Sequence, residues 1–144
     1  NSSANSGIPQ ISELASSLGI ANLTIHGSSV SDEYLMTLRI TCDALLFPSV
    51  SEGFGYPPIE SMAAGMKVIC ADLPSHNELM PDNRCIPADD PDEWIKAITT
   101  LHDDYLSGDG QSNQPQKELI EHAKQYDNSV YCQRLSDAYN SFVG

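Results

Sequence analysis

Apolar residues at Ile8, Ile11, Leu14, Ala15 and Leu18 recur at spacings of three and four, which puts them on one face of a helix that Gly19 ends. Asn22 to His26 reads as a strand. A second helix follows, capped by Ser29 or Ser31, with Asp32 and Glu33 in its first turn and Leu35, Leu38 and Cys42 facing inward. Ala44-Leu45-Leu46-Phe47 and Val68-Ile69-Cys70-Ala71 are unbroken apolar runs of strand length, suited to burial on both faces. Between them Gly53 and Gly55 make a turn, Pro57 or Pro58 opens a short helix over Ile59 to Ala64, and Gly65 stops it. A loop from Asp72 to Pro81, holding one helical turn, leads to a weak strand over Arg84 to Ala88, where Pro87 marks an edge position or a strand end. Asp90-Pro91-Asp92-Glu93 is a helix start, with Trp94, Ile95, Ile98, Leu101 and Tyr105 as the inner face. After the break at Ser107 to Asn113 come two more helices. Leu119, Ile120, Ala123 and Tyr126 mark one; Tyr131, Leu135, Ala138 and Phe142 mark the other.

Alternating helices and strands imply right-handed crossovers and a parallel sheet, so the fold class is α/β with a parallel sheet flanked by helices. At 144 residues the chain is the size of one domain. Four short strands are fewer than the roughly six of a complete nucleotide-binding lobe. The expectation is one partial domain over residues 1–144, with Asn1 to Gly7 as a linker or cut loop.

The net charge is −13, which argues against nucleic acid and anionic membrane surfaces as partners. Cys42, Cys70, Cys85 and Cys132 are scattered without metal-ligand spacing and read as small buried hydrophobes in a reducing cytosol, so no metal and no cofactor are expected. No signal-peptide pattern appears in the sequence, and a cytoplasmic location is expected.

The turn between the two apolar strands carries the chemistry. A loop at the carboxyl end of a parallel strand, leading into a helix, collects free N–H groups and a partial positive charge that favour a phosphate. Glu52 and Glu60 flank it, and carboxylates accept hydrogen bonds from hydroxyls. Phosphate and hydroxyls together suggest a nucleotide sugar.

Glu52-Gly53-Phe54-Gly55-Tyr56-Pro57-Pro58-Ile59-Glu60 resembles the two-glutamate signature of retaining glycosyltransferases of family 4, which have the GT-B fold. Phe47-Pro48-Ser49 before it, Ser61-Met62-Ala63-Ala64-Gly65 and Val68 to Pro74 after it, and Ser31 to Leu35 one helix upstream match as well, so the likeness runs from about Ile11 to Leu101. The resemblance implies the Rossmann-like carboxyl-terminal, donor-binding half of a GT-B enzyme, without its first strands and acceptor-binding lobe. It implies transfer of a sugar from a nucleotide-sugar donor to an acceptor hydroxyl. Glu52 would be the catalytic glutamate at the donor sugar, and Glu60 would hold the ribose. Gly53, Phe54 and Gly55 would offer amides to the sugar, with Tyr56 and Pro57 near the diphosphate. The family's basic phosphate ligands would lie upstream of this chain, and such a fragment would be inactive alone.

Phe54 serves equally as a core plug. His76 and Glu78 stand at the same end of the sheet, and a surface histidine and a capping glutamate are preferred there to nucleotide contacts. A non-catalytic nucleotide-sugar-binding or structural module is the alternative to an enzyme. A sheet cut open leaves an unpaired edge, so an edge-paired oligomer is expected.

Overall fold

The computed structural model describes residues 8–23, 29–81, 85–108 and 114–143. The chain divides into two units, Asn1–Tyr34 and Leu35–Gly144. In the first, α1 spans Ile8–Ser17. Its end is stapled twice, from the Gly19 amide to the Ser16 carbonyl and from the Ile20 amide to the Ala15 carbonyl, with Gly19 at φ 72°. Ala21–Leu23 is a 3-10 turn, so the predicted strand does not begin at Asn22; Thr24 to His26 lie outside the described residues. Of the predicted inner face, Ala15 is buried, but Ile11, Leu14 and Leu18 are exposed.

Helix α2, Asp32–Thr41, starts as the sequence predicts. The Ser31 hydroxyl accepts the Tyr34 amide at 3.2 Å, and Asp32 and Glu33 occupy the first turn.

The second unit is built on a parallel sheet of order β1-β2-β3: Ala44–Phe47, Lys67–Ala71 and Cys85–Ile86. Ala44 to Phe47 pair with Lys67 to Cys70, and Cys70 and Ala71 pair with Cys85 and Ile86. The chain is therefore α/β, a parallel sheet flanked by helices, consistent with the Rossmann-like half-fold expected. Helices α3 (Tyr56–Ala63) and α6 (Lys117–Ala123) lie against the sheet and each other, closing a core of Met62, Val68, Cys70, Met80, Leu119 and Ala123. Side chains such as Met62, Val68 and Leu119, withdrawn fully from water, each contribute about 1.5–3 kcal/mol.

Gly65 sets the α3–α6 approach. At φ 79° it ends α3 with two stapling bonds, Gly65 amide to Met62 carbonyl and Met66 amide to Ser61 carbonyl. Its carbonyl accepts the Gln116 amide at 2.9 Å, and a Cβ placed on it would lie 2.6 Å from Pro115 Cβ. Only glycine allows the chain before α6 to come this close.

Helix α5, Pro91–Ser107, has the predicted start: Asp90 Oδ1 accepts the Glu93 amide at 3.1 Å, with Pro91 at the first helical position. The Trp94 indole N–H donates to the Pro87 carbonyl, and Lys67 pairs with Asp104 at 3.2 Å. Of the rest of its predicted inner face, Leu101 is half-buried, whereas Ile95, Ile98 and Tyr105 are exposed. The same correction applies to α7, Asn128–Val143, where Tyr131, Leu135, Ala138 and Phe142 all face solvent, Phe142 at 90%. Cys42 and Cys132 are exposed, not buried as expected, whereas Cys70 is fully buried and Cys85 partly so. No helix among the described residues is long and apolar enough to cross a membrane.

Candidate functional site

Because the sheet is parallel, the segments leaving β1 and β2 emerge at the same edge. The β1 exit carries Pro48 to Gly55; the β2 exit runs through Asp72 into α4, Pro74–Leu79. Open α/β sheets hold their ligands at this edge. The two exits touch where the Ser75 hydroxyl approaches the Glu52 carbonyl at 3.5 Å.

Glu52 is exposed, and its carboxylate Oε1 accepts the Ser49 hydroxyl at 3.0 Å. That single bond orients the side chain while leaving its second oxygen free of protein donors among the described residues. Gly53 has open space around it. Gly55 is buried, sits at φ 101°, and is the N-cap of α3. The amides of Gly53, Phe54, Gly55 and Tyr56 donate to no protein acceptor among the described residues. Pro57 and Pro58 follow Tyr56, so the second and third positions of α3 have no N–H at all. The helix pole thus offers the Tyr56 amide together with those of the preceding turn.

Phe54 is not a core plug. It is 41% exposed and stacks at a tilt on Tyr56, centroids 5.0 Å apart, with Tyr126 edge-on at 6.3 Å. The Tyr126 hydroxyl is anchored on the Glu78 carbonyl at 2.8 Å. The turn therefore has an aromatic flank.

Glu60, one turn into α3, is bound by the Arg39 guanidinium. The Glu60 side chain is 48% exposed and that of Arg39 16%, so the pair shows its carboxylate to solvent and its cation inward.

His76 differs most from expectation. The sequence reads it as a surface residue, yet it is fully buried. Its Nδ1 lies 2.7 Å from the Ala71 carbonyl, and its ring packs against Phe47 with centroids 5.5 Å apart. Histidine counts as polar in any periodicity, and the one sequence signal was its place just past the end of β2. Glu78 is exposed, with its backbone carbonyl engaged by Tyr126.

The largest cavity described, about 670 Å³, lies elsewhere, between β2, β3 and α5. Its two lysines, Lys67 and Lys96, are already paired with Asp104 and Glu93. Free donors and an unshared carboxylate oxygen are found at the turn instead, and size alone does not outweigh that chemistry.

A parallel α/β sheet with two glutamates and unused amides at its carboxyl edge belongs to the open α/β class, whose ligands sit at that edge. Residues 9–126 match the family described as glycosyl transferases group 1, and the chain belongs to that family. It is 38% identical over 73 residues to the O-antigen chain mannosyltransferase RfbU of Salmonella typhimurium, covering 50% of this chain and 21% of that protein. It is 30% identical over 95 residues to the MMP alpha-(1->4)-mannosyltransferase of Mycolicibacterium hassiacum, covering 63% and 23%. A serotype-specific mannosyltransferase, WbdA of Escherichia coli, shares 33% over 75 residues, 51% of this chain and 9% of that one. The chain thus spans about a fifth or less of the length of these relatives. No solved structure matches it.

Proposed function

We propose that this chain is the donor-binding part of a retaining glycosyltransferase of the GT-B type, and that its donor is a nucleotide-activated hexose. Family membership supports sugar transfer, and the relatives' names make mannose the first sugar to test. The observation that carries the reading is the Glu52 carboxylate, oriented by Ser49, beside four unused amides.

On this reading Glu52 accepts hydroxyls of the donor sugar and stabilises positive charge that develops at its anomeric carbon. The amides of Gly53, Phe54, Gly55 and Tyr56, with the pole of α3, receive phosphate oxygens as the leaving group gathers charge, a preorganised electrostatic effect. Pro57 lines the diphosphate side. Glu60, steadied by Arg39, takes the ribose hydroxyls. The acceptor hydroxyl and the basic phosphate ligands come from parts of the protein outside this chain, which binds donor without turning it over.

Titration calorimetry with GDP and GDP-mannose tests the reading. We expect binding of both to the chain, and transfer with retained anomeric configuration from the intact protein. A chain that binds no nucleotide or nucleotide sugar at millimolar concentration overturns it.

A further inference from the structure

His76 Nε2 is the one buried side-chain polar atom without a partner among the described residues. Buried polar atoms left unpaired are rare and call for an explanation. The ring is not free to seek one. Nδ1 faces a carbonyl oxygen, which can only accept, so Nδ1 carries the proton, and neutral imidazole then presents a bare lone pair at Nε2.

The unpaired edge faces the turn. A Cβ built on Gly55 would lie 3.4 Å from His76 Cδ2 and 3.7 Å from Nε2, with only Leu79 Cδ1 closer, at 3.1 Å. Glycine at this position lets the turn lie directly against the ring edge, so that Nε2 is sealed from water. The ring edge thus lies against the turn that carries the four unused amides and next to the segment where Ser75 meets Glu52. An acceptor can be satisfied only by a donor, which a phosphate oxygen is not. A hydroxyl is.

We propose that His76 Nε2 accepts a hydrogen bond from a hydroxyl of the donor's glycosyl group, making it a sugar-recognition residue opposite Glu52. This rests on the donor-site reading above. Because Nε2 is sealed by the turn, the Gly53–Gly55 segment moves off the ring edge as the sugar seats, and a single hydroxyl comes within reach of Nε2.

The test uses GDP and GDP-mannose as probes on the whole chain. His76→Asn keeps a donor for the Ala71 carbonyl at the position of Nδ1 and removes Nε2. It should weaken GDP-mannose about fivefold to tenfold, the loss expected for one hydrogen bond, and leave GDP unchanged. His76→Gln, which restores an acceptor at the distance of Nε2, should recover most of that loss. In unaltered protein labelled with nitrogen-15, the His76 Nε2 resonance should be that of a bare nitrogen, and should move upfield with GDP-mannose but not with GDP. Equal weakening of both probes by His76→Asn, or an Nε2 resonance unmoved by GDP-mannose that nonetheless binds, overturns this inference alone. Unaltered chain that binds neither probe removes the donor-site reading and this inference together.

Discussion

The guanidinium of Arg39 at the end of α2 holds the carboxylate of Glu60 in the middle of α3, 21 residues away in sequence. The pair is half in water, so its value for stability is small, about 1 kcal/mol or less. A double-mutant cycle of Arg39→Ala, Glu60→Ala and both, followed by urea melts, should give a coupling of that size. Nucleotide affinity should report more. Arg39→Ala frees the Glu60 side chain to sample several rotamers and should weaken GDP several-fold, about the cost of immobilising one side chain.

Among the described residues, exposed Glu52 is bonded only through Ser49 and its own carbonyl. Glu52→Gln in the intact protein should change folding stability by no more than about 0.5 kcal/mol. It should reduce turnover about a hundredfold or more, the scale of losing one charge-stabilising group. Thermal melts and initial rates on the same sample check this; equal loss in both would make Glu52 a structural residue.

Gly65→Ala should be among the most damaging single changes. The left-handed backbone costs an alanine about 1–2 kcal/mol. The Cβ would also strike Pro115 at 2.6 Å, and overpacking adds about 1–3 kcal/mol. Denaturant melts should show a loss of about 2–5 kcal/mol. A smaller loss would mean that the 114–116 segment yields easily.

Burial pushes the Cys70 thiol from its ordinary 9.0 up to about 12, and the neighbouring Cys85 adds to the shift. The folded protein keeps this thiol protonated where the unfolded chain ionises it. The stability it contributes is complete below pH 9 and is lost as pH climbs toward 12. Urea melts should show a fall of about 2 kcal/mol between pH 8 and pH 10.5 from this group. Cys85 and Tyr126, both raised mainly by burial, fall in the same direction. Cys70→Ala should flatten the slope in that window; an unchanged slope would assign it elsewhere.

Where backbone chemistry decided the outcome, the sequence was readable. The apolar runs at Ala44 and Val68 became paired parallel strands, Gly65 ended α3, and Asp90 with Pro91 opened α5. Periodicity revealed which faces of α5 and α7 were apolar but not what would cover them. Ile98 and Leu135 remained in water because a pattern of one helix says nothing about its neighbour. Asn22 failed for a related reason: β-branched and apolar neighbours suit a strand, yet a strand exists only where a partner pairs with it, and Ala21–Leu23 coils instead. At the site, Glu52 and the glycines were legible from residue type and spacing. The Arg39–Glu60 pair and the burial of His76 were not, since the first joins α2 to α3 and the second packs His76 against Phe47 of β1.

The consecutive prolines Pro57 and Pro58 give α3 an unusual opening: it keeps the electrical polarity of a helix end while presenting few hands to grasp with. A tetrahedral anion arriving there is attracted from a distance but gripped at few points. Firm capture must then be completed by arms reaching in from neighbouring loops, so tightness of binding can drift through changes in those loops while the helix itself stays as it is.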